Sequence, residues 1–189
     1  MSIQLPSKET MFPSSSLIRL SPIAMVQALI SPSFETRLMK MLSFLDDVIP
    51  IAKNVVGINS DNDILFGIDV LPPINNMYHG AVFDQKKNTV IINAAADVSK
   101  LILTENLVHE LTHARDKQSG RITTNSDGII WDGKFFPKEH ILNIMDFENT
   151  TITTKERYDQ YMALPWEKEA FENQKRFAWE TLRRFTQSN

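Results

Sequence analysis

The sequence predicts a single α+β domain, and three observations carry that prediction. The 189 residues give room for one hydrophobic core and little more. Apolar spacing of helical period occupies both ends of the chain, while short β-branched and aromatic runs cluster in its middle. No internal repeat and no interdomain linker divides the chain. The expected architecture is a small, mainly antiparallel sheet set among helices.

The elements follow in order. Residues 1–16 are rich in serine and proline without periodic apolar pattern, and read as a flexible leader to a domain spanning residues 17–189. From Pro22 to Ile30, and again from Phe34 to Ile49, the spacing is helical; Phe34, Leu38, Met41, Leu42, Leu45 and Val48 share one stripe. The run Ile64 to Val70 reads as a strand ended by Pro72-Pro73. Ala81–Phe83 and Thr89–Ile92 flank the polar stretch Asp84 to Asn88, which makes a β-hairpin. A helix is expected from about Val98 to Gln118, closed by Ser119-Gly120. Ile129–Trp131 and Lys134–Phe136 then bracket Asp132-Gly133, a two-residue hairpin turn. The last third is helical: His140 to Met145, Thr154 to Met162, and a long helix from Pro165 to about Phe185, with its proline suited to the first turn.

Composition excludes several classes of function. The net charge is −3, from 20 basic and 23 acidic residues, so no surplus of positive charge is on offer to a phosphate backbone, and nucleic acid is not the expected partner. There is no cysteine, which excludes disulfides, thiolate metal sites and a cysteine nucleophile. No apolar run approaches the roughly 18 residues of a membrane helix. The first residues lack a basic start followed by an apolar block, so no standard secretory signal is expected and the chain reads as soluble.

The chemistry lies in Val108-His109-Glu110-Leu111-Thr112-His113, an H-E-x-x-H run inside a predicted helix. Residues four apart share a helix face, so His109 and His113 can reach one metal ion. Glu110 projects beside that ion, where a carboxylate can take a proton from activated water. Leu103, Leu107, Leu111 and Ala114 form an apolar arc, and the two histidines lie off it, so the helix is expected to bury one face and offer its imidazoles on another. A catalytic zinc site needs a third protein ligand and an open position for water. Six residues after His113 stands Ser119, so a three-histidine pattern is absent. The candidates farther along are Asp127, Asp132, Glu139, His140, Asp146, Glu148, Glu156, Asp159, Glu167 and Glu169. Between the last two, helical geometry favours Glu167. It falls within the arc of Trp166, Ala170, Phe171, Phe177 and Ala178, whereas Glu169 falls with Glu172, Arg176, Glu180 and Arg183. A carboxylate on a buried face is costly unless something compensates it, and a metal ion would.

The run His109 to His113 resembles the zincin metallopeptidase motif, and its five letters coincide with those of the thermolysin group. With Glu167 it is similar to the gluzincin arrangement of two histidines and a distant glutamate. Leu164-Pro165-Trp166-Glu167-Lys168-Glu169-Ala170 resembles the glutamate helix of small bacterial and phage HExxH proteins with a P-x-E-x-E-A pattern. The resemblance covers about a third of the chain. It implies a zincin-like fold and a zinc-dependent metallopeptidase acting on protein or peptide, with Zn²⁺ on His109, His113 and Glu167 and with Glu110 as general base. It also implies a bacterial protein, cytoplasmic or exported by a specialised route. In that family a strand along the cleft pairs with extended substrate, for which Thr89–Asn93 is the candidate, and a tyrosine or histidine donates to the oxyanion. Tyr161, Tyr158, His140 and His79 are candidates for that donor, with Tyr161 nearest Glu167 in sequence. Thermolysin-like enzymes often carry an aspartate four residues after the glutamate ligand; here that position is Phe171, which leaves the partner of the zinc histidine to another residue, Asp116 being one option. Two further functions fit the same residues: a secreted bacterial effector protease acting on host proteins, and a non-catalytic binding module that keeps the fold.

Overall fold

A computed structural model describes residues 18–58, 64–72, 79–145 and 153–188, so the expected leader, residues 1–16, lies outside the described residues. The first helix, α1 (Pro22–Ile30), starts where the Ser21 hydroxyl accepts the Ala24 N–H at 3.1 Å and Pro22 takes the first helical position. Ser31 then closes α1 and caps α2 (Pro32–Val56), accepting from the Phe34 N–H. The buried stripe of α2 runs through Leu38, Leu42, Leu45 and Val48, as expected, but continues past Pro50 to Ala52 and Val56. Packing of that continued stripe outweighs the missing proline N–H, and the helix stops only at Gly57, whose left-handed backbone (φ 87°) bonds back to Lys53.

Seven strands form two sheets among the described residues. β1 (Ile18–Leu20), β2 (Leu65–Asp69), β3 (Ala81–Asp84) and β4 (Thr89–Asn93) make a sheet of order β1-β2-β4-β3. β2 pairs in parallel with β1 and with β4, and only β3–β4 is antiparallel, so this main sheet is mixed rather than mainly antiparallel as expected, because the chain returns to it through helices and not only through a hairpin. The register sets Phe66 beside Val90 and Ile68 beside Ile92, and these four apolar side chains, all at most 2% exposed, join the core. The second sheet, β5 (Ile122–Thr124), β6 (Gly128–Trp131) and β7 (Lys134–Pro137), is wholly antiparallel. Its β6–β7 turn puts Asp132 (φ 46°) and Gly133 (φ 79°) in the left-handed region, as a twisted two-residue hairpin demands. Gly128 is required for a different reason: a Cβ there would stand 2.1 Å from the Phe136 carbonyl oxygen.

α3 (Lys100–Gln118) begins at Ser99, whose hydroxyl accepts the Ile102 N–H. Leu103, Leu107, Leu111 and Ala114 enter the main core with α2 and the sheet. Two short helices, α4 (Lys138–Met145) and α5 (Thr154–Met162, opened by a Thr153–Glu156 capping box), precede the long α6 (Pro165–Ser188). α6 runs antiparallel to α3, as the pairs Arg115–Glu169, His109–Gln174 and Lys100–Phe185 show. The three-stranded sheet is held to this pair by a second cluster of Ile122, Trp131, Ile141, Ile144, Leu164 and Trp166. The fold is α+β, as the sequence predicts. No described helix is long and apolar enough to cross a membrane.

Candidate metal centre

α3 and α6 bring three side chains from two distant stretches of chain to one point. His109 and His113 are four residues apart on α3, and their Nε2 atoms lie 3.2 Å from each other. Glu167, in the first turn of α6, places Oε2 at 3.3 Å from His109 Nε2 and 3.5 Å from His113 Nε2. All three residues are buried, at 7%, 8% and 6% exposure. The apolar arc of α3 is as expected, but its histidine face is not open: α6 covers it, and the helix is buried on most of its circumference.

Glu167 Oε2 is a buried oxygen that accepts no well-formed hydrogen bond, although two imidazole nitrogens stand at ion-pair distance. Burial pushes the Glu167 carboxyl up; the polar contacts and charge of His109 and His113 outweigh it and hold it down at about 2. Ligands about 2.0–2.2 Å from a tetrahedral ion stand roughly 3.3–3.6 Å apart. The triangle of 3.2, 3.3 and 3.5 Å has that size, and its members, two neutral-capable imidazoles and one carboxylate, are a donor set that could hold a metal ion. Among the described residues, this is the one group of histidine and acidic side chains close enough to share an ion.

A cleft of about 450 Å³ adjoins the triad; Glu110, His113, Tyr161 and Glu167 line it together with mostly apolar side chains. Glu110 is half-buried, with the backbone N–H of Phe83 close enough to favour its ionised form. Burial raises its pKa against the opposing pull of His113 and His109. The Tyr161 phenol is raised by burial first and by the Glu167 charge second, so it stays a neutral donor beside Glu167.

Other expected residues stand elsewhere. Thr89–Asn93 is not a cleft strand: β4 has β2 on one side and β3 on the other, so both its edges are paired. The open edge is β3, which supplies Ala81, Val82 and Phe83 to the cleft. Asp116 does not touch a histidine. It is fully buried beside Arg115 (2.8 Å) and Arg121 (3.2 Å). Glu169 is not on a wet face with Arg176 and Arg183; it bonds Arg115 at 2.7 Å and Arg121 at 2.8 Å, tying α6 to the end of α3. Asp132 pairs with Arg121, His140 is exposed on α4, His79 lines the cleft mouth, and Tyr158 is exposed; Asp146 and Glu148 lie outside the described residues. Sequence reading missed one residue at the centre. Gln174 Oε1 lies 3.1 Å from His109 Nδ1, while Phe171 sets its ring against the same imidazole at 4.5 Å. The signal was present, because Gln174 follows Glu167 by two helical turns and so shares its face.

No family model, no curated protein and no solved structure matches this chain.

Proposed function

We propose that this chain is a zinc-dependent metallopeptidase of the zincin type, with a gluzincin-like ligand set. The observation that carries the reading is the triangle of buried ligand atoms, sized for a tetrahedral ion and containing a carboxylate oxygen with no well-formed hydrogen bond. His109 Nε2, His113 Nε2 and Glu167 Oε2 would hold Zn²⁺. When bound, zinc lowers the pKa of a water molecule and polarises a carbonyl oxygen. Glu110, next to the triad and facing the cleft, accepts the proton and returns it to the departing amine. Tyr161 offers its phenol to the oxygen that gains charge.

Substrate placement follows from β3. Asn93 N–H bonds the Gly80 carbonyl at 2.9 Å, and bonded and non-bonded pairs alternate along an antiparallel ladder. Val82 therefore turns its backbone groups toward β4, while Ala81 and Phe83 turn theirs to the open edge, consistent with the Phe83 N–H meeting Glu110. An extended peptide can add to this edge. Leu71, Ile129, Ile141, Leu164 and Trp166 line the adjoining space, so an apolar side chain beside the scissile bond is the expected preference.

The test is cleavage of a peptide library by the zinc-loaded chain and by its Glu110→Gln variant. Cleavage flanked by apolar residues, absent from a variant that keeps its metal, supports the reading. Zinc-loaded wild type that cleaves no peptide leaves a metal-binding module and removes the peptidase.

A further inference from the structure

We propose that Gln174 is the positioning residue of the metal centre: its side-chain carbonyl accepts the Nδ1–H of His109, which fixes that ring's rotation and leaves its Nε2 lone pair to the metal. The inference rests on the zinc reading above. The contact is 3.1 Å, from a half-buried residue on the helix that also carries Glu167. Neutral imidazole carries one proton, and its position decides which nitrogen can be a ligand. His109 Nε2 points at His113 Nε2 and Glu167 Oε2; a metal ion held there requires the proton on Nδ1, and the Gln174 side-chain oxygen facing Nδ1 accepts it. Were the amide turned over, its NH₂ would donate to Nδ1 and drive the proton onto Nε2, where it blocks the ion. Phe171 contacts the same ring edge to face at 4.5 Å and helps hold its plane.

The placement has a chemical consequence. A carboxylate acceptor would pull on the Nδ1 proton and make the imidazole a stronger donor, whereas a neutral amide orients the ring with less of that push. One helix thus supplies both a ligand and the partner of another ligand, seven residues apart on one face. Anything that shifts α6 along α3 disturbs both together.

Zinc affinity, measured with a competing chelator, is to be compared for wild type, Gln174→Leu and Gln174→Glu, with His113→Ala as the control that has lost a ligand. Outer-shell partners of metal ligands change affinity by about 10–100-fold. Gln174→Leu, close in volume, is expected to bind zinc about 10–100-fold more weakly, while Gln174→Glu binds at least as tightly as wild type. In zinc-loaded wild type with ¹⁵N-labelled histidine, the His109 Nδ1–H should be protected from exchange with solvent, and in Gln174→Leu it should exchange faster. Melting curves establish that both variants fold. A Gln174→Leu protein that binds zinc as wild type does, or a Gln174→Glu protein weakened as much as Gln174→Leu, overturns the proposal, because a packing contact alone gives those results. A folded wild type that takes up no zinc overturns the metal reading and this proposal with it, so the two failures are distinguishable.

Discussion

Glu110 and Glu167 are both carboxylates beside the same two imidazoles, yet their surroundings assign them different work. Glu167 is held ionised at about 2 by the histidines, while burial raises Glu110. Glu110→Gln, nearly isosteric, is expected to keep about one zinc per chain and to lose peptide hydrolysis by about 10²-fold or more, read by metal analysis and turnover on one peptide. Glu167→Ala should lose most of its zinc affinity, because two histidines alone hold the ion poorly. Glu169→Ala should keep its metal but destabilise the fold by about 1–2 kcal/mol, because its carboxylate joins Arg115 and Arg121 across α3 and α6; chelator competition and denaturant melts separate the two effects. At this scale the sequence was informative where the geometry is local. The His109–His113 spacing and the inward side of Glu167 follow from helical period alone. The partners of Glu169 did not follow, because Arg115 and Arg121 reach it across a helix pair whose register no local pattern encodes.

Elements were readable in proportion to their length. Helices with long apolar stripes and the Asp132-Gly133 hairpin agree with expectation, since each is specified by contiguous residues. β1 and β5, three residues each, carry too little alternation to be seen. The cleft strand was misplaced for a related reason. β3 and β4 read alike as halves of a hairpin, and only β2, which pairs in parallel from more than 20 residues upstream, makes β4 interior and β3 the edge. That assignment has a consequence at β3. Val82→Pro removes a ladder bond to β4, so it should detach this edge strand and lower the melting temperature, read in a thermal melt. An N-methylated peptide that cannot pair with an edge strand should compete less well than its parent for the cleft, read as a higher inhibition constant.

For the whole molecule, the candidate metal centre lies where separate parts of the chain meet. α3 belongs to the main core, while Trp166, next to Glu167, belongs to the cluster under the three-stranded sheet. An ion bound between α3 and α6 therefore joins the two clusters, and its binding free energy adds to folding stability. At zinc about 100-fold above its Kd the gain is ~2.7 kcal/mol, and a chelator should lower the melting temperature of wild type but not of His113→Ala. The most direct test of the account is the zinc content of the folded chain after reconstitution and removal of free metal. The account predicts about one zinc per chain in wild type and in Glu110→Gln, and little in His109→Ala, His113→Ala or Glu167→Ala. A well-folded wild type that retains no stoichiometric zinc, or one that retains it equally after all three ligand substitutions, would contradict it.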